Sequence, residues 1–340
     1  VTAGGVGGGG GAGGSTSTDD DATADGQSMG GSGGTGDDTS ATDDATDVTD
    51  DMGEMDTMDM DGMGGMGGMS GGDDTMDMSG GDGAAADPSP GCGNANPDLG
   101  SSQGPLNVAN HQYYVKIPAD YDPMNPYIVI FMFHPTNNPL DWAEQNAGFE
   151  RNGAADGAIR VYPGAGNNAS GWGANDVDFF EPLYDTIMDN FCVDRARVFA
   201  AGESSGGDFA SILGCEFADK IRAIGPCATK PVGGYPLDAG QRSCTGQVGA
   251  VVIHGLNDMV VGPENGPATR DFYVALNHCT SMSTPVDGYT DPMSNCVQYE
   301  GCDDGYPVIW CGHTDPEYSN TNHGWPKFAG DFLWEHFSSY

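Results

Sequence analysis

Regular alternation of apolar and polar positions starts late in this chain, at His111-Gln112-Tyr113-Tyr114-Val115-Lys116-Ile117. That period of two predicts a strand, ended by Pro118. Residues 126–134 form a continuous apolar run, the pattern of a strand covered on both faces in a parallel sheet. Residues 158–163 predict a shorter strand, and residues 177–190 have helical apolar spacing. Arg197-Val198-Phe199 reads as the end of a further buried strand, and residues 208–213 after it have helical composition. Two more strands are expected at 221–225 and 249–254, and a helix at 267–276. A last strand at 306–310 and an amphipathic helix at 328–337 complete the series. Strands alternating with helices predict an α/β domain with a mostly parallel sheet.

Composition divides the chain before that pattern begins. Residues 1–90 contain no Lys, Arg or aromatic residue and consist mostly of Gly, Asp, Ser, Thr, Ala and Met. So few bulky apolar groups cannot offset the entropy of ordering, so this segment is expected to be a disordered tail. Residues 91–340 are then one folded domain, long enough for a proper core. As a flexible coil the tail spans on the order of 50 Å, which suits a tether. Ten of the 16 methionines lie in it, from Met29 to Met78. Thioethers at that spacing offer a rival reading, a non-catalytic surface protein with a copper(I)-binding tail.

Net charge is −39, and the tail holds 20 of the 50 acidic residues with no base. Beyond it, 30 acids face 11 bases. A surface of that sign repels nucleic acid and anionic membranes. It suits a neutral ester or a polymer. All nine cysteines lie beyond the tail, with no C-x-x-C pair and no zinc spacing. Several disulfides formed in an oxidising compartment are expected, with the connectivity open and one cysteine left over. No stretch is long and apolar enough to span a membrane. The expected location is outside the cell or tethered to its outer surface, and the expected state is a monomer. Asn168-Ala169-Ser170 is a glycosylation sequon with meaning only in a eukaryotic host.

Between the strand ending near Phe199 and the helical stretch from Asp208 stands Gly202-Glu203-Ser204-Ser205-Gly206. G-x-S-x-G at a strand-to-helix turn predicts a nucleophile elbow, with Ser204 projecting from the sheet edge. A plain Gly-Ser turn is the alternative. A serine hydroxyl needs a base, and the base needs an orienting acid, in the chain order Ser, acid, His. Asp258, directly after the 249–254 strand, is the candidate acid. Asp271 competes on position but lies in a helical stretch beside Arg270. For the base, His254 precedes the acid, His278 sits at a helix end, and His336 falls in the last helix and is expected to be solvated. His313 and His323 remain, both expected in the loop between the last strand and last helix; His323, immediately before the helix, is preferred. The oxyanion hole needs two backbone N–H groups. Ser205 is expected to give one. In His134-Pro135-Thr136, Pro135 has no N–H, so Thr136 is the candidate for the other.

The stretch from Cys192 through Gly207 resembles secreted feruloyl esterases and the related extracellular polyhydroxybutyrate depolymerases. So do His254-Gly255 with Asp258, Arg270-Asp271-Phe272 with Asn277 and Cys279, and Tyr299 through Cys311. Gly91-Cys92-Gly93 is similar to the start of their catalytic domains. The resemblance covers residues 91–340 and implies an α/β-hydrolase fold with a Ser204-Asp258-His323 triad, no metal and no cofactor. It implies cleavage of aryl, hydroxycinnamoyl esters through an acyl-enzyme, with a polyhydroxybutyrate or an aromatic polyester as the alternative substrate. Pro135 departs from the family, which carries Gly or an aromatic residue there, and the 312–322 loop is longer and more polar than in the family. Trp172 resembles an aromatic loop residue of the family. It is expected either to wall the substrate cleft or to anchor its loop.

Overall fold

The computed structural model describes residues 85–99, 105–166, 171–232, 244–316 and 321–340. The predicted tail up to residue 84, its copper-binding reading and the sequon lie outside the described residues. Residues 87–90, placed in the tail by composition, are packed on the body. Pro88 bridges Asp194, and the Ser89 hydroxyl donates to the Phe191 carbonyl at 2.6 Å.

Ten strands form one sheet in the order β1-β2-β4-β3-β5-β6-β7-β10-β9-β8. In chain order they are β1 Leu106–Val108, β2 His111–Lys116, β3 Tyr127–Phe133, β4 Ala158–Pro163, β5 Val193–Glu203, β6 Ala223–Cys227, β7 Gly249–Gly255, β8 Ser283–Asp291, β9 Ser294–Tyr299 and β10 Val308–His313. The strands from β4 to β10 across the centre are parallel. The flanks, β1-β2 on one side and β9-β8 on the other, are antiparallel.

The β3 run shows why the centre is parallel. Every residue from Tyr127 to Phe133 is buried. Because strand side chains alternate, Val129, Phe131 and Phe133 enter one core and Ile128, Ile130 and Met132 the other. The first core packs on α3 Ala174–Asn190, α4 Ser205–Glu216 and α5 Asn265–Leu276, through Phe180, Leu183, Phe209, Leu213 and Tyr273. The second packs on α1 Trp142–Asn146, α2 Ala154–Gly157 and α6 Ala329–Phe337, through Ala143, Ala154, Phe332, Leu333 and Phe337. Helices on both faces leave the carboxyl ends of the parallel strands as the open edge where a ligand binds in such sheets.

Four disulfides join Cys92–Cys192, Cys215–Cys244, Cys279–Cys302 and Cys296–Cys311, and Cys227 is the odd, buried cysteine. Cys92–Cys192 closes 100 residues and ties the segment before β1 to the start of β5. In the chain-entropy view a loop of that length is worth about 4–5 kcal/mol. Cys296 and Cys311 face each other across the β9–β10 ladder.

The hairpin β8–β9 had no signal in the apolar pattern, because most of β8 is exposed. Two histidines depart from expectation. His313 is not in a loop but is the last residue of β10, and it is buried. His336 is half-buried against Phe337 and Tyr340 rather than solvated, and burial pushes it down to about 4.

Candidate active site

The elbow follows from close backbone approach. A Cβ on Gly202 would fall on the Gly206 carbonyl, and one on Gly206 would fall on the Phe133 carbonyl. Only glycine lets β5 turn into α4 while β3 runs alongside. Ser204 between them has φ 52° and ψ −121°, a strained conformation for a residue with a side chain. That conformation is what a G-x-S-x-G strand-to-helix turn requires at its central residue. The Ser204 N–H donates to the Cys227 carbonyl at 2.9 Å, and its own carbonyl accepts the Asp208 N–H at 2.9 Å.

Asp258 lies three residues past the end of β7 and is buried. Its Oδ1 accepts the Val260 N–H at 2.8 Å and the Val261 N–H at 2.9 Å. Its Oδ2 meets His323 Nδ1 at 2.8 Å. Burial pushes this carboxyl up, but the His323 contact and the two turn N–H groups outweigh it and hold Asp258 below the usual carboxylate range. Asp271 sits on exposed α5 surface paired with Arg270 at 2.7 Å and takes no part.

The segment bearing His323 is pinned to the acid turn. Asn322 Oδ1 accepts the Asn257 N–H at 3.0 Å, and the Thr321 carbonyl accepts the Met259 N–H at 3.0 Å. A Cβ on Gly255 would fall on the Asn322 carbonyl, so the glycine lets the two backbones cross. The Cys227 thiol donates to the Gly324 carbonyl at 3.2 Å. Cys227 therefore touches both the elbow, through its carbonyl, and the residue after His323, through its sulfur. Asp258 and His323 are in contact, and two hydrogen bonds through Cys227 link Ser204 to Gly324, the residue after His323. His313 points elsewhere: its Nδ1 accepts the Asp315 N–H at 3.4 Å, and burial holds the ring down to about 4.

Thr136 lies just past β3, next to β5 in the sheet, and is exposed. It meets Ser205 across Gly171: a Cβ there would be 3.0 Å from Thr136 Oγ1 and 3.3 Å from Ser205 Oγ. Trp172 is buried. Only 5% exposed, it stacks on Phe209 with ring centroids 4.6 Å apart and donates its indole N–H to the His134 carbonyl at 2.9 Å. It anchors the 171–173 segment to the core. Composition could not choose between wall and anchor because both use a large ring.

The same segment is clamped from its other end. Asp176 accepts the Gly166 N–H at 3.0 Å and the Gly173 N–H at 2.6 Å, and pairs with His111 Nε2 at 2.7 Å. Burial pushes Asp176 up; the His111 bond and the two N–H groups outweigh it, and its pKa falls below the usual value. A depressed carboxylate stabilises the fold above the unfolded value, about 3.9, and that stability is lost as pH falls through the folded value. Asp176→Asn is expected to cost about 1–3 kcal/mol near neutral pH, because its NH₂ must face either the Gly166 or the Gly173 N–H and leave that donor unsatisfied. Urea midpoints at pH 7 and at acid pH check this; the difference between variant and wild type should shrink in acid.

Asp208, one turn after the elbow, is shifted in the opposite direction. Burial pushes it up to about 7 against the Lys230 N–H, the Lys230 charge and His323. Its Oδ1 accepts the Lys230 N–H at 3.0 Å. Among the described residues no cluster of metal-ligating side chains is found.

No protein-family model matches the chain. It is 30% identical over 280 residues to feruloyl esterase D of Neurospora crassa, covering 76% of this chain and 92% of that one. The chain belongs to the feruloyl esterase family. Feruloyl esterase C of Emericella nidulans is 30% identical over 242 residues, covering 65% of this chain and 85% of the relative. An acetyl xylan esterase from Aspergillus awamori superposes with a TM-score of 0.51 at 16% identity, over 67% of this chain and 94% of that one. That likeness bears on the fold alone, an α/β-hydrolase. This feruloyl esterase relative is a carboxylic ester hydrolase, as the resemblance in its motifs implied.

The sequence reading missed two residues that link the segments carrying Ser204, Asp258 and His323: Asn322 and Cys227. Asn322 had a signal, an Asn beside a candidate base and before Gly324. Cys227 had only its odd number.

Proposed function

We propose that Ser204, His323 and Asp258 form the catalytic triad of this esterase and that it cleaves hydroxycinnamoyl esters. The 2.8 Å contact between His323 Nδ1 and Asp258 Oδ2, at the sheet edge that carries the strained Ser204, is the observation that supports it most. His323 takes the Ser204 proton at Nε2 as Oγ attacks the ester carbonyl. Asp258 holds the Nδ1–H tautomer and stabilises the imidazolium. The oxyanion is received by the backbone N–H groups of Ser205 and Thr136. The alcohol leaves with the proton from His323. Water, deprotonated by the same ring, then releases the acid from the acyl-enzyme. Residues 91–340 are the catalytic domain, with 87–90 packed on it. The four disulfides support a location outside the cell.

The substrate class rests on the feruloyl esterase relatives. A second reading, hydrolysis of a polyester, is favoured by apolar residues exposed on the acid turn itself: Leu256 at 45%, Met259 at 77% and Val260 at 63%. A panel of methyl ferulate, a hydroxybutyrate oligomer and a terephthalate ester decides between them. The highest kcat/KM is expected on methyl ferulate; a preference for either of the other two would replace this reading with the second.

A further inference from the structure

The acid of the proposed triad faces a second histidine. His254, next to last in β7, has a side chain only 1% exposed. Its Nε2 lies 3.0 Å from the Gly262 carbonyl and 3.5 Å from Asp258 Oδ2. Both neighbours are oxygen acceptors, so Nε2 carries the proton. Nδ1 is buried with no hydrogen-bond partner among the described residues, which fits the unprotonated nitrogen of a neutral ring. Burial pushes the His254 pKa down, against the Asp258 and Gly262 interactions that favour the charged form.

We propose that His254 is a positioning residue for Asp258, its neutral Nε2–H closing the 258–262 turn and facing the carboxylate oxygen that receives His323. The inference rests on the triad reading above. The geometry makes Asp258 a hub. Oδ1 is taken by two turn N–H groups, and Oδ2 by His323 with the His254 N–H beyond it. Rotating the carboxylate would break all of these together. Through Gly262 the same N–H fixes the far end of the turn, so the acid and its backbone donors move as one piece. A charged ring here would compete with His323 for Asp258; a neutral ring whose N–H is held by Gly262 packs against Oδ2 and leaves the carboxylate's charge to His323. His254 touches no substrate in this account and acts only through Asp258. In the sequence it lies four residues before Asp258, in the wrong chain order to be the base.

The test compares three variants on a soluble ester. In His254→Gln the amide nitrogen reaches the place of Nε2; in His254→Asn it reaches only the place of Nδ1. His254→Ala and His254→Asn are expected to lower kcat roughly 10–100-fold, the scale of a misplaced catalytic group, with KM held within about twofold because only orientation has changed. His254→Gln is expected to recover most of kcat. A packing role would instead make Gln and Asn equally poor, in step with their melting temperatures. That result, or an Ala variant with wild-type kcat, would overturn the inference. If Ala does not fold, the Gln and Asn pair alone decides. Ser204→Ala is assayed alongside: if it stays active the triad reading itself fails. If it is dead while the His254 variants match wild type, only the role of His254 fails.

Discussion

Ser204→Ala is expected to lower kcat for a p-nitrophenyl or methyl ferulate ester by about a millionfold, the scale seen when a nucleophile of this kind is removed. The neighbouring hydroxyl, Ser205 Oγ, is not placed to take over: it is buried and turned toward Gly171. The fold should survive, because Ser204 holds its place through its backbone: its N–H on the Cys227 carbonyl and its carbonyl on the Asp208 N–H. The melting temperature should therefore stay within a few degrees of wild type while turnover disappears. Labelling with an organophosphonate should give one adduct per wild-type chain and none on the variant. A variant that keeps most of its activity would remove Ser204 from the mechanism.

Asp258→Asn has the next largest expected effect, a loss of kcat of about 10⁴-fold. The environment of the carboxylate dictates how the amide must sit. The Val260 and Val261 N–H groups require an acceptor at the Oδ1 position, so the amide oxygen stays there. The NH₂ is then forced to the Oδ2 position, facing His323 Nδ1. His323 must accept there, which moves its proton to Nε2, the nitrogen that has to take the Ser204 proton. The ring is left in the wrong tautomer in an intact site. Stopped assays with burst analysis should show acylation, not deacylation alone, slowed by that factor. Activity within tenfold of wild type would exclude Asp258 as the acid.

The central fold was legible because its strands are buried on both faces. The 126–134 run and the 249–254 run could pack nowhere but between two layers of helices, and they became β3 and β7. The β8–β9 hairpin was not legible, since an exposed edge hairpin carries no such pattern and is held by the Cys296–Cys311 and Cys279–Cys302 bridges. Within the site, the elbow was readable because its glycines are needed for backbone contact inside five residues. His323 and Asp258 were readable as a pair only through chain order.

By itself, then, the sequence determined the α/β alternation, the Gly-Ser-Gly elbow and a short set of candidate acids and bases. These rest on local requirements: a period, a turn, a missing side chain. The tertiary structure decided that His323 rather than His313 meets Asp258, that Trp172 is buried against Phe209, and that Asn322 and Cys227 link the segment around His323 to the ends of β7 and β5. The His323–Asp258 contact and the two Cys227 bonds join the ends of β5, β6 and β7 to the segment after β10, stretches far apart in the chain that meet only when the parallel sheet forms. Spacing along a chain fixes order, whereas distance and buried polarity are set by the sheet.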